Sequence, residues 1–466
     1  MRSLVDATFE RIANFYDTLP TQPVQEVDTR PERWAHLRQD LPEDGRPIDE
    51  LLELFFGDLV PNCFNTTSPG FMAYIPGGGL FHAAVADLIA DSVNRYVTVW
   101  AAAPGLAEIE NSVIRWFRQM VGYPEDSSGF LTSGGSLANF SALFTARKEK
   151  LPEEFLDGRI YVSDQTHHSV LRAASLVGFP SRSVRTIPTN QRFQLRCEAL
   201  EDAIASDRAA GVKPFAIVAS AGTTNTGAID DLTRLAAVAQ RERLWLHVDA
   251  AYGGFFALTE RGRQRMTGIE LADSITLDPH KGLFLPYGTG CLLVRDGAAL
   301  ERAHSIDADY MPPMQGSTEQ VDFCNISPEL SRDFRGLRIW LPIQMTGIGA
   351  WRDALDEKLD LTEWAWRELE TIPGMRIVAE PQLSVVAFRL ELDGLGRLQN
   401  GAHDRINRDL LDRINSRQRV YLTGTVLDGH FALRICVVVF RTHKERLEAC
   451  LEDIRSVVEE IRLEQT

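Results

Sequence analysis

At 466 residues the chain is too long for one small core, so two or three domains are expected. With 44% hydrophobic and 24% charged residues it reads as globular, and a net charge of −16 argues against nucleic acid or an anionic membrane as the main partner. An anionic cofactor remains open, because a phosphate is read by local backbone N–H groups rather than by total charge. The six cysteines (63, 197, 291, 324, 436, 450) include no Cys-x-x-Cys pair, so neither a zinc site nor a disulfide framework is indicated. The N-terminus has no continuous apolar run and no segment is of membrane-spanning length, so a cytoplasmic enzyme is expected.

In chain order, helical periodicity covers 3–19 and 48–60, separated by a polar, Pro-rich connection from 20 to 47. Two amphipathic helices on such a linker cannot bury their apolar faces alone, which predicts packing on the main body or on a second subunit. A glycine-rich turn, Pro76-Gly77-Gly78-Gly79, precedes a helical pattern over 80–93, and Pro104 sits where a helix first turn tolerates it, ahead of a 3.6 period from Glu108 to Val121. From 129 to about 300, strand candidates at 129–132, 159–163, 183–187, 215–220, 244–248, 274–278 and 290–294 alternate with helical stretches at 136–150, 168–177, 198–210 and 231–242. Such alternation predicts a largely parallel sheet covered by helices on both faces. Residues 304–333 break the rhythm and read as a long loop, of a length that is usually functional. A helical segment over 336–370 leads to a smaller unit, with strands near 376–379, 384–390, 420–423 and 431–439 and helices at 402–417 and 443–461.

Chemistry concentrates at the carboxyl ends of the strand candidates, where open α/β sheets bind ligands. The chain has six lysines, and Lys281 in Asp278-Pro279-His280-Lys281 has apolar segments on both sides, whereas Lys148, Lys150, Lys358 and Lys444 sit in charged helical runs and Lys213 in a loop. A lysine between buried strands is costly unless its amine is neutral or covalently engaged, so Lys281 reads either as a turn cap or as an amine that forms a Schiff base. Phe130-Leu131-Thr132-Ser133-Gly134-Gly135-Ser136 followed by a helix makes an anion cradle or an ordinary strand–helix turn. His167-His168 follows a strand; it is a surface pair, a metal pair lacking partners at metal-site spacing, or a source of one imidazole stacked on a planar ring. Ala219-Ser220-Ala221-Gly222-Thr223-Thr224 leaves room for a ligand, and Asp249 ends an apolar strand with small residues after it. A buried aspartate needs a cationic partner, and a protonated pyridine nitrogen would be one.

With these residues assembled, the chain resembles the group II pyridoxal-phosphate (PLP) decarboxylases, which include the aromatic-L-amino-acid and glutamate decarboxylases. The resemblance runs from about residue 47 into the C-terminal unit and rests on Asp-Gln-x-His-x-Ser-Val (164–170), Gly-Thr-Thr (222–224), His-Val-Asp-Ala-Ala-Tyr (247–252) and Pro-His-Lys (279–281). It implies fold type I, an α/β architecture: a large domain (79–340) with a mainly parallel seven-stranded sheet, a small C-terminal α+β domain (341–466) and a helical N-terminal extension (1–78) packing on the partner of a homodimer. It implies Lys281 as the Schiff-base lysine, Asp249 as the partner of the ring nitrogen, His167 stacked on the ring and Ala251 against its other face. Gly135 and Ser136 match the phosphate cradle, Thr224 lies beside the cofactor, and Asp278 and His280 flank it in the lysine motif. Tyr310 resembles the loop tyrosine that returns a proton to the carbon left by CO2 loss.

Two positions depart from the pattern. Asp278 stands where animal aromatic decarboxylases have Asn near the phosphate, and a carboxylate there is repulsive unless protonated or bridged. Ile75, in Ala73-Tyr74-Ile75-Pro76, stands where an aromatic residue is common. The expected activity is decarboxylation of an L-amino acid, aromatic by family. The alternatives are an acidic substrate, which needs an arginine such as Arg95, Arg335 or Arg338; an aldehyde synthase, which Tyr310 argues against; an aminotransferase; and a non-catalytic PLP-binding protein.

Overall fold

The computed structural model describes residues 1–305, 320–392 and 401–465. Its centre is a seven-stranded sheet in the order β1-β7-β6-β5-β4-β2-β3. The strands are β1 (Ser128–Thr132), β2 (Gly158–Ser163), β3 (Val184–Ile187), β4 (Lys213–Ser220), β5 (Trp245–Asp249), β6 (Ser274–Leu277) and β7 (Gly290–Val294). All seven match the strand candidates to within two residues at either end, because strands covered on both faces are apolar at successive positions. Along β4, Ile217 and Ala219 enter one core while Ala216 and Val218 enter another; β7 divides Cys291 and Leu293 from Leu292 and Val294 in the same way. Pairing is parallel from β3 through β2, β4 and β5 to β6, and β7 alone is reversed, antiparallel to both β6 and β1. β1 therefore runs in the same direction as β6, and the carboxyl ends of six strands share one edge.

The helices are α1 (Arg2–Thr18), α2 (Phe81–Val93), α3 (Pro104–Val121), α4 (Gly135–Lys150), α5 (His168–Leu176), α6 (Cys197–Ala209), α7 (Leu232–Glu242), the one-turn α8 (Pro279–Gly282), α9 (Arg335–Glu370), α10 (Ala402–Ser416) and α11 (Lys444–Gln465), with shorter turns between them. The expected helix over 48–60 is α-helical only at Ile48–Glu53 and continues as a π-helix at Leu54–Leu59. α9 contains Pro342 and a kink at Gly347 (φ 73°), and residues 340 and 341 lie within it. The expected loop from 304 to 333 holds a short helix at Phe323–Ile326 within its described part.

A second, antiparallel sheet has the order β10-β11-β9-β8, from β8 (Met375–Ala379), β9 (Val385–Leu390), β10 (Thr423–Leu427) and β11 (His430–Cys436). It packs with α10 and α11 around Phe388, Leu410, Leu433, Leu451 and Ile454. The strand expected at 420–423 is displaced: Tyr421 makes a single parallel bridge to Phe71, and the ladder begins at Thr423. The connection before α2 approaches the sheet edge closely. A Cβ at Gly77 would sit 2.1 Å from the His280 carbonyl oxygen, so only glycine fits where this turn crosses α8.

Candidate active site

The edge where six strands end is hollowed into a cavity of about 370 Å³, lined among others by Ser136, His167, Thr224, Asp249, Asp278 and Lys281. Gly135, Ala251 and His280 line it too, so the described residues matched to the cofactor site reach one cavity, whereas His168, Arg95, Arg335 and Arg338 do not line it. Tyr310 lies outside the described residues.

One wall is the β1–α4 turn. Gly134 (φ 152°) lets the chain turn sharply into α4, whose first two residues, Gly135 and Ser136, line the cavity and precede the first N–H that finds an acceptor at the Gly134 carbonyl, that of Leu137 (3.1 Å). No acidic residue occupies that first turn.

Asp249 ends β5 and is 9% exposed. Its Oδ1 accepts from the Ala251 N–H (3.1 Å) and its Oδ2 from Asn139 Nδ2 (3.0 Å), which fixes the carboxylate plane and leaves lone pairs for a cation in the cavity. His167 caps α5, its Nδ1 accepting from the Ser169 N–H (3.3 Å). A backbone N–H only donates, so the ring proton is on Nε2. Burial, with Lys281 adding to it against the pull of Asp249, holds the His167 pKa below its ordinary value, so the imidazole is neutral near pH 7. His168 is exposed with its ring 4.2 Å from that of His167, and no group of three His, Cys, Asp or Glu among the described residues is placed to hold a metal.

Lys281 sits on α8 with Nζ 2.9 Å from Asp278 Oδ2. Burial depresses its ammonium, but the charge and hydrogen bond of Asp278, helped by Asp249, outweigh it and raise the pKa. His280 donates from Nδ1 to the Thr289 carbonyl (2.5 Å), so its Nε2 lone pair faces Asp278 Oδ2 at 3.7 Å. Burial lowers the His280 pKa despite Asp278.

The pyridoxal-dependent decarboxylase conserved domain matches residues 31–391. The chain belongs to the pyridoxal-dependent decarboxylase family. An aromatic-L-amino-acid decarboxylase of Bacillus atrophaeus is 34% identical over 464 residues, 99% of this chain and 96% of that protein. A crystal structure of Oryza sativa TDC with PLP and tryptamine superposes with a TM-score of 0.93 at 26% identity, covering 99% of this chain and 98% of that one. Rhodiola rosea 4-hydroxyphenylacetaldehyde synthase superposes with a TM-score of 0.91 at 25% identity over 99% and 98% of the two chains. This decarboxylase is thus a PLP-dependent carboxy-lyase with the α/β fold that the resemblance implied: a mainly parallel seven-stranded sheet, a smaller antiparallel sheet and an N-terminal helix. Among its described residues no helix is long and apolar enough to cross a membrane.

The donor set suits PLP: a helix N-terminus for a phosphate, an oriented carboxylate for a ring nitrogen, a neutral flat imidazole and a lysine amine border one cavity.

Several residues of this decarboxylase escaped the sequence reading. Asn139 is 1% exposed; its Nδ2 also donates to Ser169 Oγ (3.0 Å), and its Oδ1 accepts from Thr276 Oγ1 (2.7 Å) and His247 Nε2 (2.9 Å). Burial pushes the His247 pKa down to about 4, and its Nδ1 accepts from Ser274 (2.8 Å), itself an acceptor for Trp245 Nε1 (2.8 Å). Because the Asp249 carboxylate only accepts, the Asn139 amide has one orientation, and every hydrogen in this buried chain has a fixed direction. The signal in the sequence was one amide on an otherwise Ala- and Leu-rich helix face.

Arg434, in β11, is 3% exposed and donates to the carbonyls of Asn225 (3.0 Å), Thr224 and Tyr74 (3.4 Å) and to Thr423 Oγ1 (3.1 Å). No carboxylate lies at ion-pair distance from it among the described residues, and burial lowers its pKa. Lys358 sits in its charged helical run yet is fully buried, donating to Glu357 (2.8 Å) and to the carbonyls of Thr442 (2.6 Å) and Phe440 (3.2 Å). Its amine is spent on those three acceptors, whereas that of Lys281 opens on the cavity.

Proposed function

We propose that this enzyme decarboxylates an aromatic L-amino acid to the amine and CO2, with Lys281 holding the cofactor covalently. The observation that carries the reading is the placing of Lys281, Asp249 and His167 around one cavity. When bound, PLP supplies a sink for the electrons of the breaking Cα–carboxylate bond. The chain's own groups do the rest. Asp249, held by Asn139 and the Ala251 N–H, would keep a proton on the ring nitrogen; neutral His167 would stack without adding charge; Gly135 and Ser136 would seat the phosphate. Tyr310 would return a proton to Cα.

Two observations support an aromatic substrate. Phe64, Phe71, Tyr74 and Tyr421 form a ring cluster, with Phe64 and Tyr421 stacked at 4.8 Å, just before the turn whose Gly77 packs on the His280 carbonyl. The arginines that an acidic side chain would need are engaged elsewhere: Arg335 by Glu329 (2.7 Å) and Asp333 (2.7 Å), Arg338 by Asp87 (2.6 Å), and exposed Arg95 by the Val93 carbonyl (2.8 Å). Comparing CO2 release from the common L-amino acids tests this. Tryptophan, tyrosine or DOPA should lead, and preferential turnover of glutamate would overturn it.

Arg434 lies beside Thr224 and Tyr74 without a carboxylate partner, and we assign it to attracting the substrate carboxylate. Arg434→Met should raise KM by about 10- to 100-fold, one lost charge-assisted hydrogen bond; an unchanged KM in a protein that still melts cooperatively would remove it from the site. Tyr310→Phe should yield aldehyde and ammonia in place of much of the amine, and an unchanged product would exclude Tyr310 from proton return.

α1 buries none of its residues and exposes Leu4, Val5 and Phe9 at 49–55%. A second copy of the chain is the partner we propose for that face, giving a homodimer, and a monomer by sedimentation would refute it.

A further inference from the structure

Asp278 is 2% exposed, and its two oxygens differ. Oδ2 pairs with Lys281 Nζ at 2.9 Å, whereas Oδ1 is buried with no hydrogen-bond partner among the described residues. The carboxylate lies against the start of α4: a Cβ built on Gly135 would be 2.9 Å from Oδ2 and 3.2 Å from Oδ1. An unsatisfied anionic oxygen thus borders the cradle assigned to the cofactor phosphate, and two anions cannot face each other there with both fully ionised.

Few neighbouring groups can neutralise this carboxylate. On α8, His280 turns a lone pair towards it and is neutral through burial. From the other elements, His167 is neutral through burial, and burial pushes the Cys291 thiol well above its ordinary pKa, so it stays protonated. Asp249, acting on the same Lys281, adds a further negative charge nearby. The one cation at ion-pair distance among the described residues is Lys281, the amine that the cofactor consumes.

We infer that Asp278 takes up the proton that Lys281 sheds and keeps it shared with the cofactor phosphate, so that this enzyme holds the phosphate as a hydrogen-bonded monoanion. The atoms balance. The ammonium gives one proton to Asp278; the free amine forms a C=N bond to the aldehyde carbon; the carbonyl oxygen leaves as water with the two remaining amine hydrogens. The retained proton would then be shared by the otherwise unpartnered Asp278 Oδ1 with the phosphate that Gly135 and Ser136 would hold. An amide at this position would donate to a phosphate by itself and would need no such proton. The inference rests on Gly135 and Ser136 forming the phosphate cradle.

The test is 31P NMR of the holoenzyme from pH 6 to 9, for the wild type and Asp278→Asn, with Asp278→Ser as the second variant should the first not fold. A free phosphomonoester passes from monoanion to dianion at about pH 6. In the wild type the bound phosphate should keep the monoanion shift to about pH 8 or beyond, a displacement of about two pH units, roughly 100-fold in the proton equilibrium. In the variants the dianion shift should be present at pH 7. A wild-type dianion at pH 7, or one titration common to wild type and variants, overturns the Asp278 assignment while leaving the cofactor site in place. Absence of any protein-bound phosphorus signal would instead overturn the cradle, and this inference with it.

Discussion

Lys281→Ala is expected to lose the absorbance band of lysine-bound cofactor and at least about a thousandfold in turnover, because the same amine both binds the cofactor and drives its exchange with substrate. Cofactor should still bind by the cradle and the Asp249 carboxylate, but reversibly, and be removed by gel filtration. A second effect follows from Asp278. Removing Lys281 takes away the ammonium 2.9 Å from a carboxylate that is 2% exposed, so the cofactor-free variant should lose up to about 3 kcal/mol of stability. Adding Asp278→Asn to Lys281→Ala should recover most of that thermal stability and none of the activity. Residual turnover near wild type in Lys281→Ala would end the assignment of the covalent lysine; a melting temperature unmoved by the first change would show that the pair carries no stabilising charge interaction.

The parallel sheet was legible because each of its strands is buried on both faces, and that leaves a continuous apolar run whatever the helices around it do. The cavity residues were legible for a related reason: polar groups directly after such runs stand at a ligand-binding edge. What was not legible depends on partners far away in sequence. Arg434 is a charge inside the buried strand β11, a visible anomaly, yet its partners Thr224 and Asn225 lie about 210 positions away. The charged run around Lys358 gives no sign of its burial, which comes with the carbonyls of Phe440 and Thr442 that accept from its amine. The displaced strand at 420–423 had a local signal. Asp428 and Gly429, both with positive φ (50° and 79°), form the two-residue turn that pairs Leu427 with His430 and so sets the register of β10 at 423–427. Val420–Leu422 are apolar for a different reason, being packed against Phe71 and Met72.

Asp249→Asn is the second large change. A carboxylate opposite a pyridine nitrogen stabilises its protonated form, and in a site this buried the loss of one partner from such a pair costs about 3–5 kcal/mol. If that stabilisation is realised while the Cα–carboxylate bond breaks, kcat falls roughly 10²- to 10⁴-fold with KM little changed. The amide is nearly the same size and still fills the space between Ala251 and Asn139, so folding and cofactor content should survive. Asn139→Ala gives the discriminating comparison. It leaves the carboxylate charged but removes the donor at 3.0 Å from Oδ2 and the one at 3.0 Å from Ser169 Oγ, so Asp249 keeps its charge and loses its direction. A smaller fall, about tenfold, is expected, and the double variant should be no slower than Asp249→Asn alone, since both act through one oxygen–nitrogen contact. Equal losses in the two single variants would mean that geometry rather than charge is what Asp249 supplies. An Asp249→Asn enzyme within about threefold of wild type would remove the ring-nitrogen partner from the mechanism.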